Sequence, residues 1–246
     1  MVFLIHNSRR IVYLFSALTA LTIFFLVREL FPSSSQQTTR LVQSYAFTAV
    51  IYIYFALLAS PIYNVFPSLP YKPLYLTARK AIGVSAFFFA LLHVSFALFG
   101  PLGGFHLTSF SQLNFHFSPS LEGFLALYFL PISLFFPGIA LLSERYQIAL
   151  VFSSIAFVIL SLMALTSLEY FVIKLGRKWK ILHRFVYLAA LAIVIHALLI
   201  GSHFTNLNGT VPWVSFLALA FLLVLETIRF YKFLVKKSLL KKMSQK

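Results

Sequence analysis

Cysteine is absent from the 246 residues, which excludes disulfides, iron–sulfur clusters and thiolate ligation of a metal. Any metal chemistry must therefore rest on histidine. Acidic residues are nearly as scarce, with five Asp and Glu against 20 Lys and Arg, and charged residues make up only 10% of the chain. A soluble globular domain carries about a quarter. The nine glycines form no Gly-rich dinucleotide fingerprint after a strand pattern, so the chain is not expected to take hydride from a nicotinamide cofactor by itself. Connections between apolar runs are each too short to build a soluble core, and a single membrane domain over 1–246 is expected.

What is present in abundance is apolar surface: 61% of residues are hydrophobic and the mean hydropathy is +0.92. Lipid must be the solvent for most of the chain. In hydrocarbon every backbone N–H and C=O needs an internal partner, and these runs are too long and too weakly alternating for barrel strands, which leaves helices. The expected fold class is an all-α, polytopic helix bundle. Runs near the roughly 20 residues needed to cross lie at 11–27, 43–60, 81–99, 121–142, 147–168, 185–201 and 213–231. The first opens with Arg9 and Arg10 as a signal peptide would, but no small-residue cleavage site follows, and it reads as a retained first helix.

The net charge of +15 does not line one face of a folded domain, so no nucleic-acid partner is inferred. It orients the chain instead. Basic residues cluster at Arg9–Arg10, at Lys72, Arg79 and Lys80, from Lys174 to Arg184, and from Arg229 into a basic tail over 232–246; only Arg28, Arg40 and Arg145 fall elsewhere. If all seven runs crossed, the 61–80 and 169–184 segments would lie on opposite sides. With six crossings every basic cluster lies inside, as the positive-inside rule prefers. The 121–142 run, broken by Pro131 and by Pro137-Gly138, is the poorest continuous helix. The expected topology is six transmembrane helices with both termini cytoplasmic, plus a re-entrant or interfacial hairpin at 121–142 on the outer side.

Three of the seven histidines lie in or beside apolar helices: His93, His183 and His196. An intramembrane ionisable side chain is costly and marks function by default, although one isolated His can equally be a neutral residue bonded to a neighbouring helix. His93 stands 13 residues beyond Lys80, and His196 stands 12 beyond Arg184. At 1.5 Å per residue both lie about 18–20 Å above the inner boundary, and two imidazoles at one depth can ligate one haem. His183 lies roughly 20 Å lower, at a level suited to a second haem, with no evident partner ligand. Thirteen residues also turn its side chain some 140° from that of His196 on an ideal helix, so both face one interior only if the helix is distorted. The bland reading of His183 is an interfacial residue among lysines and arginines. Arg79 could meet a haem propionate or a flavin phosphate, or serve only as a topology anchor. His106, His116 and His203 fall in the outer loops.

Several segments carry a family pattern: Leu58-Ala-Ser-Pro-Ile-Tyr-Asn64, then Arg79-Lys-Ala-Ile-Gly83, Leu91-Leu-His93, Thr166-Ser167, and Leu175-Gly-Arg-Lys-Trp-Lys-Ile-Leu-His-Arg-Phe-Val-Tyr-Leu-Ala189 followed by His196. Over about 40–235 the chain resembles the ferric-reductase-like transmembrane family, and within it the haem-binding membrane subunits of periplasmic methionine sulfoxide reductase systems. The resemblance implies six spans and b-type haem, one or two, on His93, His183 and His196. It also implies transfer from a cytosolic flavin reductase, with FMN as a further cofactor, to a periplasmic molybdopterin enzyme, in a bacterial inner membrane. The stretch 101–146 is longer than the family pattern and falls where such an enzyme would dock.

The expected role is thus an electron-transfer subunit fed by a flavin reductase or by quinol, and not a self-contained enzyme. A rival within the redox class is a ferric or cupric chelate reductase component. A rival of another class is a small proton-coupled transporter using the histidines as a relay. Against it count the single hydrophobic hairpin, where paired broken helices are expected, and the lack of a mid-span carboxylate.

Overall fold

A computed structural model describes residues 5–30, 37–99, 142–200 and 210–243. Every regular element among them is helical: α1 (Ser8–Leu30), α2 (Gln37–Val65), α3 (Lys72–Phe99), α4 (Glu144–Leu165), α5 (Glu169–Leu175), α6 (Arg177–Leu182), a 3₁₀ turn (His183–Phe185), α7 (Val186–Ile200) and α8 (Thr210–Met243). Six stretches of these are long and apolar enough to cross a membrane, with α6, the 3₁₀ turn and α7 counting as one from Arg177 to Ile200. The protein is an all-α integral membrane protein. The 121–142 hairpin lies outside the described residues, apart from the residue at its end.

The helices outrun the apolar runs that announce them. Hydropathy marks only the hydrocarbon layer, whereas the i→i−4 ladder continues wherever no residue breaks it. α2 passes through Pro61, whose missing amide is tolerated in a membrane helix when neighbours engage the loosened turn. Beside the Leu57 carbonyl, to which that amide would have donated, Arg79 Nε donates to the Ala56 carbonyl at 3.0 Å and Tyr75 Oη to the Phe55 carbonyl at 2.6 Å. The basic tail is likewise helical as far as Met243, continuous with the last span. Between α5 and α6 the backbone turns at Gly176, φ +49° and ψ −119°, a region that a Cβ strongly disfavours.

α2 packs chiefly on α3, and α4 on α7; α3 also meets α4, α1 lies on α2 and α3, and α8 lies on α2. The shared core joins Tyr52, Leu57, Ile82, Leu160 and Leu225 with the alanines Ala86, Ala156, Ala189 and Ala192. Small residues let helices approach closely where lipid offers no hydrophobic drive to associate. Large side chains such as Phe15, Phe88, Leu191 and Leu217 face outward, as expected of a lipid-facing surface.

Two cavities establish the helix directions. Val42, His93, Ser153 and His196 line one, and Asn64, Arg79, Ser167 and His183 line the other. α3 and the α6–α7 unit therefore run from the second cavity to the first, and α2 and α4 run the opposite way. α3 ends and α4 begins at the same end of the bundle. The basic residues Lys80, Lys180, Arg184, Arg229, Lys232 and Lys236 all border the second cavity, at the other end.

Candidate functional site

His93, on α3, reaches across to α2, where its Nδ1 lies 2.9 Å from the Val42 carbonyl. His196, on α7, does the same toward α4, with Nδ1 3.0 Å from the Ala149 carbonyl. A carbonyl only accepts, so in each ring Nδ1 carries the hydrogen and donates it. Among the described residues nothing bonds the Nε2 lone pair of either ring. A backbone carbonyl on the remote nitrogen is also the arrangement that orients metal-ligating histidines and raises their basicity.

The two rings stand 6.4 Å apart, centre to centre, with their planes at 82°. A first-row metal bonds an imidazole nitrogen at about 2 Å, and the nitrogen lies roughly 1 Å from its ring centre. Doubling the sum gives about 6 Å, so the spacing fits one metal between the two rings. No group of three or more His, Cys, Asp or Glu that could hold a bare metal ion occurs among the described residues. Two imidazole nitrogens without further protein ligands would suit an iron whose other positions a porphyrin fills. The adjoining cavity, about 250 Å³, is lined mostly by apolar side chains, including Ala46, Ile53, Ala90 and Ile193.

His183 is not part of that pair. It opens the 3₁₀ turn between α6 and α7, which supplies the helix distortion that its angular offset from His196 requires. Its Nδ1 lies 3.0 Å from the Trp179 carbonyl, and the indole of Trp179 lies against the ring at 3.9 Å and 31°. The indole N–H is itself anchored to the Thr166 carbonyl at 3.0 Å. Ser167 Oγ lies 3.4 Å from His183 Nε2 and 2.7 Å from the Met163 carbonyl. The shorter contact takes the hydroxyl hydrogen, so the Nε2 lone pair of His183 is only loosely engaged. The second cavity, about 1080 Å³, holds both His183 and Arg79, with no carboxylate among its described lining residues.

The four residues singled out from the sequence thus divide into a pair, His93 and His196, and a second group, His183 and Arg79, roughly 20 Å of helix away. His106, His116 and His203 lie outside the described residues. The expected lack of a carboxylate within the spans is corrected by Glu226, which sits inside the last one. It pairs with Arg229 at 2.7 Å and accepts from Tyr187 Oη at 2.9 Å, while Arg229 also donates to Ser60 Oγ at 3.2 Å. The signal available was its i, i+3 spacing from Arg229 on a helical face. Trp179 stood in the most specific motif without a role, and Gln43, which lines the first cavity, carried no signal.

Comparison with known proteins places these residues in context. The family model described as "Ferric reductase like transmembrane component" matches residues 44–194, a stretch that contains His93 and His183 and stops two residues short of His196. The protein-methionine-sulfoxide reductase heme-binding subunit MsrQ of Enterobacter sp. (strain 638) is 31% identical over 142 residues. That alignment covers 58% of this chain and 56% of the relative.

Proposed function

The chain belongs to the ferric reductase-like transmembrane family, and from that premise we propose that it carries electrons across the bilayer on b-type haem. The observation that carries the reading is the His93–His196 pair, 6.4 Å between ring centres with both Nε2 lone pairs unclaimed. In this reading the two side chains would hold the iron of one haem. His183 ligates a second haem at the basic end of the bundle, where Arg79 meets a propionate or the phosphate of a bound FMN.

Bound haem would supply a one-electron change at iron without a proton or a covalent intermediate. The chain's own residues do the rest. The Val42 and Ala149 carbonyls hold each imidazole in the ligating tautomer, and the apolar lining keeps water out and the dielectric low. The two histidine levels, roughly 20 Å apart along the helix, divide the membrane crossing into steps.

The positive-inside rule puts the basic end in the cytoplasm, so electrons enter near His183 and leave near His93 and His196. The donor is a separate cytosolic flavin reductase or membrane quinol, and the membrane is the bacterial inner membrane. MsrQ is named for a methionine sulfoxide reductase, which favours a periplasmic molybdopterin reductase as acceptor. The family description favours a ferric or cupric chelate as the second reading. Oxidised and reduced absorption spectra of the purified protein test the core of the proposal: a bis-histidine b-type spectrum supports it, and a colourless protein that takes up no added haem sinks it. Re-oxidation of the reduced protein by each candidate acceptor then separates the two readings.

A further inference from the structure

Among the described residues three buried side-chain oxygens lack a hydrogen-bond partner: Ser8 Oγ, Gln43 Oε1 and Ser85 Oγ. Of these residues only Gln43 lines either of the two cavities described above, and it is the one between α2, α3, α4 and α7 that His93 and His196 share. Apart from the two imidazole Nε2 atoms, the other polar side-chain groups among its described lining residues are already engaged. Ser153 Oγ donates to the Leu150 carbonyl at 3.0 Å, and both imidazole Nδ1 atoms are tied to backbone carbonyls.

A buried amide oxygen without a partner costs roughly 1–3 kcal/mol, and a leucine at that position would avoid the cost. Gln43 immediately follows Val42, whose carbonyl fixes His93, so the orphan stands at the level of the histidine pair. A carboxamide turned about its last torsion presents its N–H groups where its oxygen now lies. A protonated carboxyl group can donate to the oxygen as it stands, and an ionised one can accept from the N–H groups after the turn.

We propose that Gln43 is a cofactor-binding residue whose carboxamide hydrogen-bonds a carboxyl group at the edge of the ligand that His93 and His196 hold. The inference rests on the haem reading, since haem carries two propionates and the cavity offers them no other unpaired polar side chain among its described lining residues. It makes Gln43 the polar anchor of an otherwise apolar site, setting the rotation of the macrocycle about the axis between the two imidazoles.

The test compares full-length wild-type protein with Gln43→Leu and Gln43→Glu, measuring haem per polypeptide, the rate of haem transfer to excess apomyoglobin, and thermal unfolding of the haem-free protein. Gln43→Leu should release haem about tenfold faster, while its haem-free form is at least as stable as the wild type because the orphan is gone. Gln43→Glu should release haem faster still, because it sets one carboxylate against another. Wild-type release rates in both variants, or a Glu variant that holds haem as well as glutamine does, would overturn the inference alone. A wild-type protein that takes up no haem overturns it together with the reading on which it rests.

Discussion

His93 and His196 stand on helices that run in the same direction and share no loop, yet their ring centres lie 6.4 Å apart with the Nδ1 of each held by a carbonyl of a different neighbouring helix. If they ligate one iron, His93→Ala and His196→Ala should each abolish the same spectral component, and the double variant should lose no more than either alone. Low-temperature reduced spectra with haem quantified per polypeptide decide this. Separable losses would mean that the two side chains serve different haems.

Trp179 holds His183 by its backbone carbonyl and by its ring, and its indole N–H is anchored to Thr166. Trp179→Phe keeps a ring and the carbonyl but removes the anchor, a bond worth about 1 kcal/mol. The component lost in His183→Ala should shift in position or midpoint potential without disappearing, and the His93 component should be unchanged. A Trp179→Phe protein with both components at wild-type potentials would show that the stack does not position His183.

Arg229 links three helices, through Glu226 on its own, Tyr187 on α7 and Ser60 on α2. Arg229→Ala leaves the Glu226 carboxylate, which is 19% exposed, without its cation, and should destabilise the protein by about 2 kcal/mol. Glu226→Gln keeps an acceptor for Tyr187 and should cost less than half as much. Thermal unfolding in one detergent ranks the two, and the reverse order would mean that the cation is not what holds this end together.

Gly176 has open space where a Cβ would stand, so only its backbone conformation constrains it. Gly176→Ala should cost about 1–2 kcal/mol and, by loosening the turn into α6, should weaken the His183 component before the His93 one. Unfolding curves together with spectra of the variant check both effects. An alanine variant as stable as the wild type would show that the turn relaxes freely.

Reporter fusions after residues 75 and 178 and at the C-terminus should all report cytoplasm, because the basic clusters hold those segments inside. An outward report at 178 would contradict the direction of electron flow proposed above.

The crossing helices and the matched depth of two histidines were legible in the order of residues because both follow from one-dimensional rules. Hydrocarbon forbids unpaired backbone groups, and a helix rises by a constant amount per residue. Thirteen residues beyond Lys80 and 12 beyond Arg184 therefore fix the levels of His93 and His196 before any packing is known. Which way each side chain points, and which helix it meets, follows no such rule. That α2 and α4 supply the carbonyls for the two rings, that a 3₁₀ turn re-aims His183, that Trp179 stacks on it and that Gln43 is left without a partner were all decided by how the helices close on one another. Rotation about a helix axis changes no hydropathy and moves no residue in depth. Only the contacts between helices, made largely by alanines and aromatic rings, select one rotation over the rest.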